Sequence, residues 1–212
     1  MNMFENLTKT ELYAVLTGIF TASLIISNII AGKTFVFFQV ALPCGVVIFP
    51  VIYIVNDVLA EVYGYKKARN VIILGFFMNL VAVICYTVTM LLPAPAFFEN
   101  SQAFSIVLGS TPRLLLASFS AYLVGSLVNA KMMVYLKSWD EDKLFFRCIA
   151  STFFGEGLDA VVFILIGFLG TMPMEALLLM IVAQALFKTV YEIIVYPVTR
   201  IVIFKVKELP EV

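Results

Sequence analysis

Six long apolar stretches constrain this sequence most, because they limit it to folds that lipid can solvate. They comprise residues 12–30, 44–63, 70–92, 113–135, 147–170 and 174–204. A helix needs about 20 residues to cross the hydrocarbon core of a bilayer. The chain is also 62% hydrophobic and only 13% charged, which is far more apolar than a soluble domain of 212 residues. We therefore predict an all-α polytopic membrane protein with six transmembrane helices in one domain, residues 1–212.

The composition excludes several classes of function. The chain contains no histidine, which removes Ser-His catalysis and histidine-based metal centres. Its three cysteines, Cys44, Cys85 and Cys148, lack the spacing of a zinc site or a disulfide framework. The formal net charge is zero, so a nucleic-acid partner is not expected. We expect no cofactor, no bound metal and no catalytic residue.

The basic residues predict the orientation of the spans. With a cytoplasmic N-terminus, eleven of the fourteen lysines and arginines fall in cytoplasmic segments, and only Lys33 and Arg113 lie outside. We expect those two to flank the external mouth. Both termini are predicted to be cytoplasmic, in a multi-pass protein of the inner cell membrane. The eleven are Lys9, Lys66, Lys67, Arg69, Lys131, Lys137, Lys143, Arg147, Arg200, Lys205 and Lys207.

The two external loops at residues 32–43 and 93–112 are unusually apolar for connectors. Phe35, Phe37 and Phe38 lie in the first, and Phe97, Phe98 and Phe104 lie in the second. Such loops fit an interfacial aromatic belt as well as a lid over a cavity. Two prolines are predicted to kink spans, Pro50 in the second and Pro197 in the sixth.

Ionisable residues inside the apolar stretches indicate where function resides. A charged side chain at the bilayer centre costs about 2.5–3.5 kcal/mol on insertion scales, so it normally faces a protein interior or a water-filled cavity. With a rise of about 1.5 Å per residue, Asp57, Asp159 and Lys188 lie about 18–21 Å along their spans. Further polar groups fall in the same layer and predict one central polar cavity, whereas Glu61 is placed at the cytoplasmic rim. These groups are Asn79, Asn129, Glu156 and Gln184.

The spacing of the charged residues adds detail. Glu156 and Asp159 are three residues apart, and Lys188 and Glu192 are four apart, so each pair shares one face of a helix. The second pair is compatible both with a structural ion pair and with a functional site.

Several local motifs resemble one family of small membrane proteins, the queuosine precursor transporters, also described as vitamin-uptake transporters. The most specific is the segment Asn56-Asp57-Val58-Leu59-Ala60-Glu61-Val62-Tyr63-Gly64. The others are Ser27-Asn28 with Lys33, Phe49-Pro50, Thr111-Pro112-Arg113, Arg147 with Ser151-Thr152, Gly155-Glu156 with Asp159, and Gln184, Lys188, Glu192 and Pro197.

The resemblance implies a fold similar to the substrate-binding subunits of energy-coupling-factor vitamin transporters. It also implies uptake of a 7-deazaguanine for tRNA modification, such as 7-cyano-7-deazaguanine, its aminomethyl analogue or queuine. A carboxylate suits such a purine-like cargo because it accepts two adjacent N–H donors. The predicted partners are this substrate and the lipid bilayer, and the sequence is compatible with a homo-oligomer. The predicted substrate-binding residues are Asn28, Asn56, Asp57, Glu156, Asp159, Gln184, Lys188 and Glu192.

Two other functions are compatible with parts of the pattern. The chain could be a binding subunit that docks onto separate ATPase modules. It could also be a membrane-embedded enzyme that uses Asp57, Glu156 and Asp159 as metal ligands or acid and base groups, although no histidine or evident nucleophile supports this. We predict a transporter and not an enzyme.

Overall fold

The computed structural model describes residues 7–137 and 144–210, and Lys143 of the predicted cytoplasmic set lies outside them. The chain is an all-α membrane protein with one small β-hairpin, which confirms the predicted fold class. The helices are α1 (Lys9–Ile30), α2 (Phe49–Tyr63), α3 (Tyr65–Leu91), α4 (Ser101–Leu108), α5 (Thr111–Lys137), α6 (Leu144–Phe168) and α7 (Met174–Lys207). The hairpin strands are β1 (Thr34–Phe37) and β2 (Val40–Pro43), followed by a 3₁₀ turn, Cys44–Val47.

Four helical stretches of the described chain are long and apolar enough to cross a membrane. They are Lys9–Ile30, Tyr65–Leu91, Ser101–Asn129 and Met174–Lys207. The third of these stretches takes in α4 and most of α5. The prediction of six transmembrane helices also includes α2 and α6. For these two helices it stays a prediction.

The second predicted span begins later than its apolar run. Residues 44–47 form the 3₁₀ turn, and α2 starts at Phe49 and has 15 residues, or about 22 Å. Pro50 therefore lies in the first helical turn, where its missing N–H would have no intrahelical partner in any case. The kink predicted at Pro50 is wrong for this reason. In α7, by contrast, the helix continues through Pro197.

The loop at residues 32–43 folds as a hairpin that packs against α7. β1 pairs with β2 in antiparallel register, and the two turn residues, Phe38 and Gln39, have φ angles of 45° and 66°. Positive φ at both turn positions suits the right-handed twist of a two-residue hairpin, although glycine or asparagine usually occupies them. The Phe37 ring meets the Phe187 ring of α7 edge to face, with centroids 6.2 Å apart. The hairpin thus covers α7 beside Lys188.

Two hydrophobic clusters hold the bundle together, and they come mainly from the two halves of the chain, although the first takes in Val206 of α7 and the second takes in Ala31. The first joins α1, α2 and α3 around side chains such as Phe20, Leu59 and Val71. The second joins α5, α6 and α7 around Leu114, Ile164 and similar residues. Since each half has its own cluster, polar groups can collect where the halves meet.

A close crossing of α5 and α6 brings their backbones together. A Cβ atom added to Gly125 would lie 2.9 Å from the Asp159 Cβ and 3.0 Å from the Gly155 carbonyl oxygen. A Cβ added to Gly155 would lie 2.8 Å from the Asn129 Cβ. All three distances are 3.0 Å or less and leave no space for a residue larger than glycine, so the crossing places Asp159 against Gly125 and Asn129 against Gly155.

The basic end of the bundle, which we define by Lys66, Lys67, Arg69 and Lys207, brings both ends of the described chain together. The Lys9 N–H donates to the Pro210 carbonyl at 2.8 Å, and the Tyr63 hydroxyl donates to the Lys9 carbonyl at 2.8 Å. The start of α1, the α2–α3 turn and the end of α7 therefore share one end, as the basic residues predicted.

Candidate functional site

A cavity of about 250 Å³ lies between the two halves of the bundle. Side chains of α1, α2, α3, α5, α6 and α7 line it. The structure brings all eight residues of the predicted substrate site to this one cavity: Asn28, Asn56, Asp57, Glu156, Asp159, Gln184, Lys188 and Glu192.

Lys188 is the most strongly held of these side chains. Its ammonium pairs with Glu156 Oε2 at 3.0 Å and also with Asp159, both on α6. Its Nζ also lies 4.9 Å from the centre of the Phe49 ring, within the range of a cation–π interaction. Lys188 is 5% exposed, so this cation lies among compensating groups inside the bundle. Its ion pairs join α7 to α6.

Glu156 has a second partner on a third helix. The Tyr53 hydroxyl of α2 donates to Glu156 Oε2 at 3.1 Å. The same carboxylate oxygen thus accepts from Tyr53 and pairs with Lys188, which ties α2, α6 and α7 together on one side of the cavity. The Oε1 atom of Glu156 and the Oδ1 atom of Asp159 have no hydrogen bond to any described residue.

Two buried amides in the cavity wall have unused hydrogen-bonding capacity. Gln184 is fully buried, and within residues 7–137 and 144–210 neither its Oε1 nor its Nε2 has a partner. Asn28 is 3% exposed, and its Nδ2 also lacks a partner there. A buried polar group left unpaired costs about 1–3 kcal/mol. Their position in the cavity wall indicates that a polar ligand completes them.

Asp57 lines the cavity from α2 without an ion pair or hydrogen bond to any described residue. It follows Tyr53 by one helical turn and stands next to Asn56. Both carboxylate oxygens of Asp57 are therefore available to accept. Lys188 already compensates Glu156 and Asp159, so Asp57 is the carboxylate in the wall with the most capacity for a ligand that donates two hydrogen bonds.

Aromatic rings supply the apolar part of the wall. Phe49 and Tyr53 contribute from α2, and their ring centroids are 6.1 Å apart. Phe76 of α3 and Tyr122 of α5 contribute from the facing helices, with centroids 5.7 Å apart. Ligand pockets for drug-sized molecules typically measure about 300–1,000 Å³, so this cavity suits a small molecule. Because aromatic rings lie on more than one side of the cavity, they favour a flat ligand.

Sequence reasoning missed Tyr53, Phe49 and Tyr122 as wall residues. A signal for the first two was present, since Phe49, Tyr53 and Asp57 are spaced four apart and share one helical face. The hydrogen bond from Tyr53 to Glu156 joins residues 103 positions apart, and no local pattern predicts it.

Two polar residues of the predicted layer reach different places. Asn129 lines the cavity. Asn79 does not, although it is 1% exposed and its Nδ2 has no partner in the described part of the chain. Glu61 lies outside the cavity wall at the basic end, since its Oε1 lies 2.5 Å from Lys207 Nζ and both side chains are about half exposed; its place at the cytoplasmic rim stays a prediction.

Lys33 and Arg113, expected at the external mouth, do not line the cavity. The Arg113 guanidinium donates to the carbonyls of Ile166 and Leu169, each at 2.6 Å. The first carbonyl belongs to the last turn of α6 and the second to the residue that follows the helix, and at a helix end backbone acceptors lack intrahelical partners. Arg113 thus caps α6 and fixes it to the start of α5.

The chain is similar to known membrane transporters. The sequence profile of a family described as putative vitamin uptake transporter matches residues 43–202, a range that includes the cavity residues of α2, α5, α6 and α7. A probable queuosine precursor transporter of Bacillus subtilis (strain 168) is 28% identical over 174 residues, which cover 81% of this chain and 76% of that protein. A probable queuosine precursor transporter of Haemophilus influenzae is 29% identical over 129 residues, 58% of this chain and 51% of that protein. No solved structure matches the chain significantly.

Proposed function

This chain belongs to the putative vitamin uptake transporter family, and we propose that it imports a queuosine precursor of the 7-deazaguanine class across the cell membrane. The family match confirms the resemblance indicated by the sequence motifs and the prediction of a membrane transporter over an enzyme. Both relatives are named as probable queuosine precursor transporters, which supports the choice of cargo. The likeness to energy-coupling-factor subunits stays a prediction.

The observation that carries this proposal is the unsatisfied polarity of the cavity. Gln184 and Asn28 keep buried amide groups without partners, and Asp57 keeps a carboxylate without a donor. A 7-deazaguanine presents two adjacent N–H donors on one edge and a carbonyl acceptor beside them. Asp57 can accept both donors, and an amide N–H of Gln184 or Asn28 can donate to the carbonyl.

Glu156 and Asp159 take a supporting part in this arrangement. Lys188 compensates both carboxylates and holds them in place, while one oxygen of each faces no described donor. Those oxygens can accept from a substituent at the 7-position or from the same N–H edge. The rings of Phe49, Tyr53 and Tyr122 can stack on a flat base.

The membrane orientation forms part of the proposal. We place the basic end, with both termini, in the cytoplasm, because cytoplasmic segments carry the excess of lysine and arginine. The hairpin and α4 then face the exterior. Substrate enters from the hairpin side and leaves at the basic end, where Glu61 and Lys207 form an exposed ion pair.

The proposal is tested by measuring the uptake of labelled 7-deazaguanines into cells that can neither make nor salvage these compounds. The cells express either the parent chain or the Asp57→Asn variant. The parent should accumulate label and the variant should not, while Glu61→Gln, as control, should retain uptake. Accumulation of label by the variant at the parent's rate contradicts the assignment of Asp57. Uptake that requires copurifying ATPase subunits identifies the chain as an energy-coupling-factor binding subunit instead.

A further inference from the structure

A second and larger space lies outside the substrate cavity, on the side of the bundle where α3 and α5 diverge. This lateral groove, as we call it, has a volume of about 1,020 Å³. Its walls are almost entirely apolar, and several of its side chains are exposed between the two helices. Representative members are Ile73, Phe77 and Leu80 of α3 and Leu116, Leu123 and Leu127 of α5.

The lateral groove carries charge at one end only. Arg69 is the single charged residue among those that line it, and Tyr65 lies one turn before it on α3. Both belong to the basic end of the bundle, and Arg69 has no ion pair with any described residue. From Arg69 to Val83 the groove follows 14 residues of α3, or about 21 Å. One leaflet of the hydrocarbon core is about 15 Å thick, so a chain anchored at Arg69 can lie wholly within the groove.

We propose that the lateral groove binds one anionic phospholipid of the leaflet at the basic end, with its phosphate at Arg69 and an acyl chain along Ile73, Leu123 and Phe119. The charge distribution supports this occupant, because a phospholipid has its anionic group at one end of an apolar chain, as the groove requires. A helix of a second copy would place a continuous apolar surface there and leave Arg69 without a partner.

The bound acyl chain would also touch the substrate cavity. Asn56, Phe76, Tyr122 and Ser126 line both spaces, so these four side chains form the wall between them. Phe76 meets Phe119 and Tyr122 with centroid distances of 5.2 Å and 5.7 Å. A lipid in the groove would press on this wall from outside and restrict the rotation of Phe76 and Tyr122.

Native mass spectrometry of purified protein tests the proposal, with phosphatidylglycerol and phosphatidylcholine of equal chain length as probes. The parent should retain one phosphatidylglycerol more strongly than phosphatidylcholine. Arg69→Gln should weaken phosphatidylglycerol retention about five-fold, the effect expected for one basic residue at a lipid surface. Arg69→Lys should keep part of it. Lys131→Gln is the matched control, since it removes a basic residue of the same side that does not line the groove.

A second variant tests the acyl-chain position without changing charge. Leu123→Trp should fill the groove and displace the lipid, whereas Leu186→Trp, on an exposed face of α7 outside the groove, should not. Equal retention by Arg69→Gln, Lys131→Gln and the parent would overturn the proposal. Unchanged lipid retention by Leu123→Trp would also overturn it. The same holds if the parent forms a dimer that Leu123→Trp dissociates. None of these readouts depends on the transported substrate.

Discussion

Lys188 of α7 and Glu156 of α6 form an ion pair of 3.0 Å inside the bundle, and Asp159 pairs with the same ammonium. Two carboxylates therefore share one cation, and the group as a whole carries an excess of negative charge. Such an arrangement is unfavourable in a membrane unless further donors complete it. The Tyr53 hydroxyl supplies one donor. A substrate with N–H groups supplies others, which links the stability of this group to the occupancy of the cavity.

Lys188→Met should destabilise the protein strongly, because it leaves two buried carboxylates without their cation. Removing one partner of a buried ion pair typically costs about 3–5 kcal/mol. Lys207→Met is the control, since it breaks the exposed pair with Glu61, where about 0–1 kcal/mol is expected. Thermal unfolding in detergent measures both. A triple variant that also carries Glu156→Gln and Asp159→Asn should recover part of the loss, and equal unfolding temperatures for the two single variants would contradict this role of Lys188.

Asp57→Asn should weaken substrate binding by about ten-fold to more than one hundred-fold, since a hydrogen bond to a charged group contributes about 1.5–3 kcal/mol. The substitution keeps the shape of the side chain and removes the charged acceptor. Isothermal titration or ligand-induced stabilisation with 7-deazaguanines measures the change. Glu61→Gln is the matched control, because Glu61 lies one turn away on α2 and does not line the cavity. Loss of binding in the control with retention in Asp57→Asn would place the substrate elsewhere.

The depth of the polar layer was predictable because helical rise is fixed. Counting residues along each span placed Asp57, Asp159, Gln184 and Lys188 at similar heights, and the structure brings them to one cavity. The height of a residue along its span does not tell which side of the helix its side chain faces. Asn79 has a suitable height but does not line the cavity, although it is buried.

The sequence did not predict which residues pair with Lys188, nor the backbone of the hairpin and of the start of α2, and the reasons differ. Lys188 pairs with two carboxylates on α6, and only tertiary packing brings those carboxylates to it. The hairpin lacks the glycine or asparagine that usually marks such a turn, so the loop pattern of Phe38 and Gln39 gave no signal for it. Pro50 is compatible with both a kink and a helix start.

Cysteine labelling should place the basic end in the cytoplasm. In a background without the three native cysteines, Lys66→Cys should react with a membrane-impermeant maleimide only after the membrane is permeabilised. Glu99→Cys, in the external segment before α4, should react in intact cells. Both positions are exposed, so access depends on the compartment and not on burial. Labelling of position 66 in intact cells would reverse the proposed orientation.

Gly125→Ala should weaken both stability and substrate binding, because the α5–α6 crossing has no space for a methyl group. The new Cβ would lie 2.9 Å from the Asp159 Cβ and 3.0 Å from the Gly155 carbonyl, so α6 must shift and carry Asp159 away from Lys188. Gly157→Ala is the matched control on α6, where an added Cβ meets nothing within 4 Å. There alanine should stabilise the helix by up to about 1 kcal/mol, since glycine has the lower helix propensity. Thermal unfolding and ligand titration of the two variants compare them directly, and equal behaviour would show that the glycine crossing does not position Asp159.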